Sequence, residues 1–260
     1  MADRRLGAQS DLDQNMPRVG CEIFQVPIHD VTFEETVANI GHWITHGHIA
    51  QIATINPEFL VLSRSNPQFR AALQGAALCI PDGIGVLWAA RRQGKKLRER
   101  VAGSDLVTRL SEEAAVCGWR VYFLGAAPGV AEETTRRLSQ RFPGLLVAGT
   151  FAGSPAQEEE EGIISRIQAS PADLVFVAYG APKQDLWLHR NLERTGASVG
   201  MGVGGSFDFI AGVQIRAPRW VQRIGFEWLY RLIREPWRWR RQLTLPQFVW
   251  LVLTGNHRVR

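Results

Sequence analysis

The chain of 260 residues has only three cysteines, Cys21, Cys79 and Cys117, all far apart in sequence. They make no CxxC pair and no disulfide framework. Their odd number fits a reducing compartment, with the thiols serving as small core residues. Long apolar runs are also missing. A membrane-spanning helix needs about 18 consecutive apolar residues, and the nearest candidate, Phe248–Leu253, is far shorter. No apolar segment follows Arg4 and Arg5, so the N-terminus does not read as a secretory signal. Residues 1–20 read as a polar, disordered leader. The Gly125–Gly129 turn is not GxGxxG, and no GKS or GKT follows it, so it supports neither a dinucleotide site nor a P-loop. His42 and His46 stand at i, i+4, with His48 nearby, but the glutamate of HExxH and an evident third ligand are lacking. The DxD match, Asp11-Leu12-Asp13, falls in the leader, a poor place for a divalent cation. No metal and no cofactor are therefore expected.

What is present is an uneven charge distribution on an ordinary globular composition. Hydrophobic residues make up 45% of the chain, enough for one sizeable core and an appendage. The net charge is a modest +5, yet Arg216 to Arg241 carries eight arginines against Glu227 and Glu235. Five of the nine tryptophans lie between Trp220 and Trp250. Concentrated positive charge implies an anionic partner, either nucleic acid or a membrane.

Short apolar runs alternate with longer amphipathic ones. Strands are expected at Glu22–Val26, Ile52–Ile55, Leu78–Ile80, Arg120–Leu124, Leu146–Thr150, Leu174–Ala178 and Ser198–Gly202. Helices are expected at Thr32–His46, Pro57–Gln74, Gly83–Gln93, Ser104–Cys117, Val130–Phe142, Glu158–Ala169 and Lys183–Thr195. Near-continuous apolar strands separated by helical patterns indicate parallel βαβ units. The expected fold is α/β: a Rossmann-like, doubly wound, mostly parallel sheet over residues 21–211, with a helical appendage over 212–260. In that appendage Pro218 opens a helix-like stretch that Pro236 should kink or break. At 100° per residue Phe226, Leu229, Tyr230, Ile233 and Trp237 share one face. Arg223, Arg231, Arg234, Arg238 and Arg241 form an adjacent stripe. An apolar face with a cationic flank suits an anionic membrane surface or a second subunit better than single-stranded nucleic acid.

Ligands of a doubly wound sheet bind at the carboxyl ends of its strands. Five loops rich in small and polar residues follow such ends: Thr54-Ile55-Asn56-Pro57, Pro81-Asp82-Gly83, Gly125 to Gly129, Tyr179 to Asp185, and Gly202 to Asp208, the last containing Gly204 and Gly205. Asp82 can take a proton from an attacking hydroxyl, or cap the helix that starts near Gly83. Thr54 and Asn56 can bind sugar hydroxyls, or cap the Pro57 helix. Gly125 can open a phosphate-cradling turn, or an ordinary strand-to-helix turn. Arg100 can neutralise a diphosphate, or remain a solvated surface charge.

Taken together and in order, these pieces resemble the WecG/TagA/CpsF bacterial glycosyltransferases, glycosyltransferase family 26. The resemblance covers about residues 22–242. It rests on Thr54-Ile55-Asn56, Pro81-Asp82-Gly83, Glu99-Arg100-Val101-Ala102-Gly103-Ser104-Asp105, Phe123-Leu124-Gly125 and Gly180-Ala181-Pro182-Lys183-Gln184-Asp185. It continues through Gly202 to Asp208, Arg216-Ala217-Pro218 and Glu227-Trp228-Leu229-Tyr230-Arg231. The resemblance implies an inverting, metal-independent transfer from a UDP-sugar to a polyprenyl-diphosphate-linked sugar, at the cytoplasmic face of the membrane. The sugar would be N-acetylmannosamine, its uronic acid, or glucose. It implies Asp82 as general base, with Thr54 and Asn56 beside it. Arg100 and Gln184 would be donor or acceptor contacts, Asp208 would lie near the nucleotide, and Arg216, Arg231, Arg234 and Arg238 would meet the lipid diphosphate. Asp185 departs from the family, which commonly carries Glu there. A homo-oligomer is a further expectation for the apolar tail. Two other readings compete: an NAD(P)-dependent oxidoreductase, which lacks its glycine fingerprint, and a membrane scaffold, which leaves the polar loops without purpose.

Overall fold

A computed structural model describes residues 17–218, 221, 227–234, 239 and 243–255. The chain opens with a hairpin, β1 (Val19–Ile23) and β2 (Val26–His29), where one strand was expected over Glu22–Val26. Phe24 and Gln25 make the turn at φ 52° and 66°, the left-handed geometry of a two-residue hairpin loop. Such turns favour Asn-Gly, so nothing in Phe24-Gln25 announces one. The reason for Phe24 is packing, because its ring is buried and meets Phe248 edge to face at 6.0 Å.

The remaining elements run α1 (Phe33–His46), β3 (Ala50–Ile55), α2 (Pro57–Ser65), α3 (Pro67–Gln74), β4 (Leu78–Pro81), α4 (Ile84–Arg92), α5 (Gly103–Cys117), β5 (Arg120–Gly125), α6 (Val130–Arg141), β6 (Leu146–Phe151), α7 (Glu160–Ala169), β7 (Leu174–Ala178), α8 (Lys183–Thr195), β8 (Val199–Gly202), α9 (Ser206–Ala211), α10 (Glu227–Arg234) and α11 (Thr244–Leu253). Local signals fix several boundaries. Thr32 and Glu35 form a reciprocal capping box at α1. The single helix expected over Pro57–Gln74 is two. Pro67 excludes the helical conformation at Asn66, which instead ends α2 and caps α3 by accepting the Phe69 N–H at 2.9 Å.

Strands β3 to β8 form one parallel sheet in the order β4-β3-β8-β7-β5-β6. Side-chain alternation assigns its two faces. Ile52, Val121, Phe123, Leu174 and Phe176 pack with α1, α5 and α6. On the other face Ala53 and Ile55 pack with the hairpin, α2, α3, α4 and α11. Tyr122, Leu124, Val175 and Val177 pack there with α7 and α8. The result is the expected α/β/α layering. Trp43 and Trp187, both fully buried, anchor opposite faces, each contributing about 2–3 kcal/mol by area burial. Among the described residues no helix is long and apolar enough to cross a membrane.

Candidate active site

The carboxyl ends of β4, β3, β8 and β7 are neighbours, and a cavity of about 740 Å³ opens above them. Pairing of Ile55 with Pro81 brings the next residue of β4's strand line, Asp82, to the rim, where its N–H donates to Ile55 O at 2.7 Å. The Asp82 side chain does not cap α4, whose cap residue Gly83 has no side-chain bond. Instead Asp82 Oδ2 accepts the Gly103 N–H at 3.2 Å, in the first turn of α5. Free N–H groups and the helix dipole attract negative charge there. Residue 103 must be glycine for this approach, since a Cβ would lie 2.8 Å from Thr54 Cγ2. Thr54 lies beside it with its hydroxyl directed at Gly202 O, 3.5 Å away. Asn56 lines the cavity and also caps α2, accepting the Phe59 N–H at 3.1 Å.

Gln184 joins the next two loops. Its Oε1 accepts the N–H of Gly180 at 3.1 Å and of Gly204 at 2.9 Å, tying the β7–α8 loop to the β8–α9 loop. Gly204, Gly205 and Asp208 line the same cavity. Arg100 enters from a separate loop with anchors on both sides. Arg98 bonds Asp30 and Glu35, Glu99 accepts the Phe33 N–H at 3.0 Å, and the Val101 N–H donates to Pro81 O at 2.9 Å. The Arg98 guanidinium holds the Glu35 carboxyl below the usual carboxylate range. Arg100 itself is half-buried, with no ion pair among the described residues, and its charge is available to an anion in the cavity.

The opposite wall is apolar. Ile84 and Trp88 come from α4, Trp228 from α10, and Leu245, Phe248 and Val249 from α11. Sequence reasoning missed this wall. Phe248–Leu253 was read only for its failure to span a membrane, whereas the helix starts at Thr244 and holds Pro246 in its first turn, where proline is tolerated. The available signal was the spacing of Phe248, Leu251 and Val252, which form its buried face.

Thr54, Asn56, Asp82, Arg100, Gln184, Gly204, Gly205 and Asp208 thus converge. Gly125, Arg216 and Arg234 are not among the residues lining the cavity. Gly125 has φ 99°, and a Cβ there would lie 2.9 Å from the Ala178 carbonyl carbon, so close approach of β5 to β7 accounts for the glycine. Gly125→Ala is expected to cost about 2–3 kcal/mol through backbone strain and overpacking. Urea unfolding would show this as a lowered midpoint with an unchanged slope. Arg216 forms a bidentate pair with Asp105 in the first turn of α5. Arg234 is exposed, its guanidinium 5.8 Å from the Tyr230 ring centroid. The side chain of Arg231 and all of Arg238 lie outside the described residues, as does most of the leader. The rings of His42, His46 and His48 cluster within 6.0 Å of one another, centroid to centroid. Among the described residues no group of His, Cys, Asp or Glu has metal-holding geometry.

The sequence profile described as "Glycosyl transferase WecG/TagA/CpsF family" matches residues 21–260. The chain is 38% identical over 233 residues to a protein of Bacillus spizizenii (strain ATCC 23059 / NRRL B-14472 / W23), named N-acetylglucosaminyldiphosphoundecaprenol N-acetyl-beta-D-mannosaminyltransferase. That alignment covers 87% of this chain and 90% of the relative. A protein of the same name from Bacillus subtilis (strain 168) is 33% identical over 212 residues, covering 82% of each.

Proposed function

Because the chain belongs to the WecG/TagA/CpsF family and is a glycosyltransferase, we propose that it moves an N-acetylmannosaminyl group from a UDP-linked donor to N-acetylglucosamine carried on undecaprenyl diphosphate. The relatives' names supply the acceptor and the sugar. The observation that carries the reading is one cavity with two unlike walls. Asp82, Arg100 and Gln184 form its polar side, and Trp88, Trp228 and Phe248 its apolar side. An acceptor that is sugar diphosphate at one end and prenyl chain at the other matches both.

In this reading the acceptor hydroxyl oxygen attacks the anomeric carbon opposite the departing diphosphate. The new C–O bond forms as the bond to phosphate breaks, and its electron pair leaves on UDP. The hydroxyl proton passes to the Asp82 carboxylate, which the Gly103 N–H holds in place. Arg100 stabilises the charge gathering on the leaving diphosphate without a metal ion. Exposed Trp228, Ile233, Trp239, Trp250 and Leu253, with Arg234 among them, would lie on an anionic membrane surface where the lipid-linked acceptor resides. The same apolar tail face would offer a second copy of the chain a contact away from the membrane.

The test is transfer by the purified full chain to an undecaprenyl-diphosphate-linked N-acetylglucosamine, read by mass. UDP-N-acetylmannosamine, UDP-N-acetylglucosamine and UDP-glucose would be compared with and without EDTA. Addition of one N-acetylhexosamine from the first donor, unaffected by EDTA, is expected. Inactivity with that donor would overturn the substrate assignment. Activity that returns only with added Mn²⁺ or Mg²⁺ would overturn the metal-free mechanism.

A further inference from the structure

Asp185 takes no part in the transfer described above, yet its placement is costly. It is completely buried in the first turn of α8, and among the described residues neither carboxyl oxygen has a hydrogen-bond partner of good geometry. A buried carboxyl without a well-formed partner carries a large local penalty, and such a group in a native structure calls for an explanation. Its chain neighbour Gln184 is the residue that ties two rims of the cavity together.

We propose that Asp185 is a positioning residue: its carboxyl sets the orientation of the Gln184 carboxamide, and through it the placement of Gly180 and Gly204 at the cavity. The proposal rests on the reading of this cavity as the transfer site. Both side chains press on the same point. A Cβ built on Gly202 would lie 2.5 Å from Gln184 Nε2 and 3.1 Å from Asp185 Oδ1. A carboxamide has one accepting and one donating end. With Oε1 turned to the N–H groups of Gly180 and Gly204, Nε2 is turned toward Gly202 and the Asp185 side. A carboxylate there favours that orientation, because it can only accept. A protonated carboxyl can donate, and it favours the reversed amide. Reversal would set an NH2 group against the N–H groups of Gly180 and Gly204, and both loops would lose their tie.

The surroundings leave the balance to these two side chains. From β4 the ionisable neighbour is Cys79, itself buried with its thiol pushed far up. Behind Cys79 stands His29, whose Nδ1 accepts the Cys79 N–H and whose ring burial pushes down. From β3 comes the Gln51 amide, spent on Asp185 O at 3.1 Å. At the end of α3, Gly75 faces His189 of α8. From α7 the pairs Glu160–Arg190 and Glu161–Arg194 lie further along α8. Burial pushes the Asp185 carboxyl up to about 7, and the Gln184 carboxamide pulls the other way. Both protonation states are therefore accessible near neutral pH.

The experiment follows the Gly180 and Gly204 amide resonances of the full chain by ¹⁵N NMR from pH 5.5 to 8.5, with Asp ¹³Cγ labelling, without donor. Both amides are expected to titrate together with the Asp185 carboxyl, with a midpoint near 7. In parallel, the donor KM should rise severalfold on acidification through that window, with a smaller change in kcat. Asp185→Asn keeps the shape but cannot ionise, and it should flatten both responses. Flat amides in the wild type, or a titration that survives in Asp185→Asn, would overturn the proposal. If Asp185→Asn fails to fold, coincidence or separation of the wild-type ¹³C and ¹⁵N midpoints still decides. Because the NMR arm uses no substrate, an inactive assay with N-acetylmannosamine would count against the transfer reading alone. Flat amides with full transfer would count against Asp185 alone.

Discussion

Asp82→Asn is expected to lower kcat by about 10²- to 10⁴-fold, the range for loss of a general base, while the donor KM stays within about threefold. The asymmetry follows from the geometry. Asparagine has the same shape, and its side-chain oxygen can still accept the Gly103 N–H that the carboxylate accepts at 3.2 Å. The first turn of α5 therefore keeps its partner, and the melting temperature should barely move. What asparagine cannot do is take the proton of the attacking hydroxyl. Steady-state kinetics with saturating lipid-linked acceptor would separate the two quantities. Full turnover in a correctly folded Asp82→Asn protein would remove Asp82 as base. A loss confined to KM would make it a binding residue.

Phe248→Ala is expected to release α11 and with it one wall of the site. The Phe248 ring is buried between Phe24 at 6.0 Å and Trp88 at 6.4 Å, and truncating such a residue costs about 3–5 kcal/mol. α11 is short and is held by one buried face made of Phe248, Leu251 and Val252. The remaining two side chains, at about 1.5–3 kcal/mol each, must then offset the ordering entropy of the whole helix, at about 1–2 kcal/mol per residue. Hydrogen exchange over residues 244–253 should accelerate while the sheet stays protected. Transfer to a long-chain acceptor should fall by more than about tenfold, and nucleotide binding at the polar wall should persist. Unchanged exchange in that helix, or unchanged transfer once it is released, would show that α11 is not part of the acceptor site.

Much of this arrangement was legible in the residues before any coordinates. The strands inside the sheet, β3, β8, β7 and β5, and the edge strand β4 are almost wholly buried, so their sequences read as continuous runs. β6, at the other edge, is half-buried or exposed, and six of the seven expected strands fall in the parallel sheet. Asp82 and Gln184 reach the cavity because sheet ends gather loops, and the loops there carry polar residues between glycines and prolines; Arg100 reaches it from the loop between α4 and α5. The misses have physical causes. Phe24-Gln25 turns a hairpin by virtue of a contact with Phe248 more than two hundred residues away, which no local pattern encodes. Asn66-Pro67 was a visible helix stop, outweighed by the apolar periodicity on either side of it. Gly125 had the composition of a phosphate loop, but its glycine answers to Ala178 on the next strand. The bidentate pairing of Arg216 with Asp105 was equally hidden, because a run of arginines does not say which one folds back.

The strand order also sets a timetable for synthesis. β3 pairs on one side with β4, its near neighbour in sequence, and on the other with β8, so the Thr54–Gly202 contact closes across 148 positions. On the ribosome, β3 and β4 emerge early and wait with one edge unpaired until nearly all of the domain has been made. Late closure of a parallel sheet is slow and leaves that edge open to wrong partners. It also means that Asp82, though made in the first third of the chain, faces no finished cavity until β8 inserts and α11 docks. An unfinished chain therefore lacks the cavity that the finished domain presents.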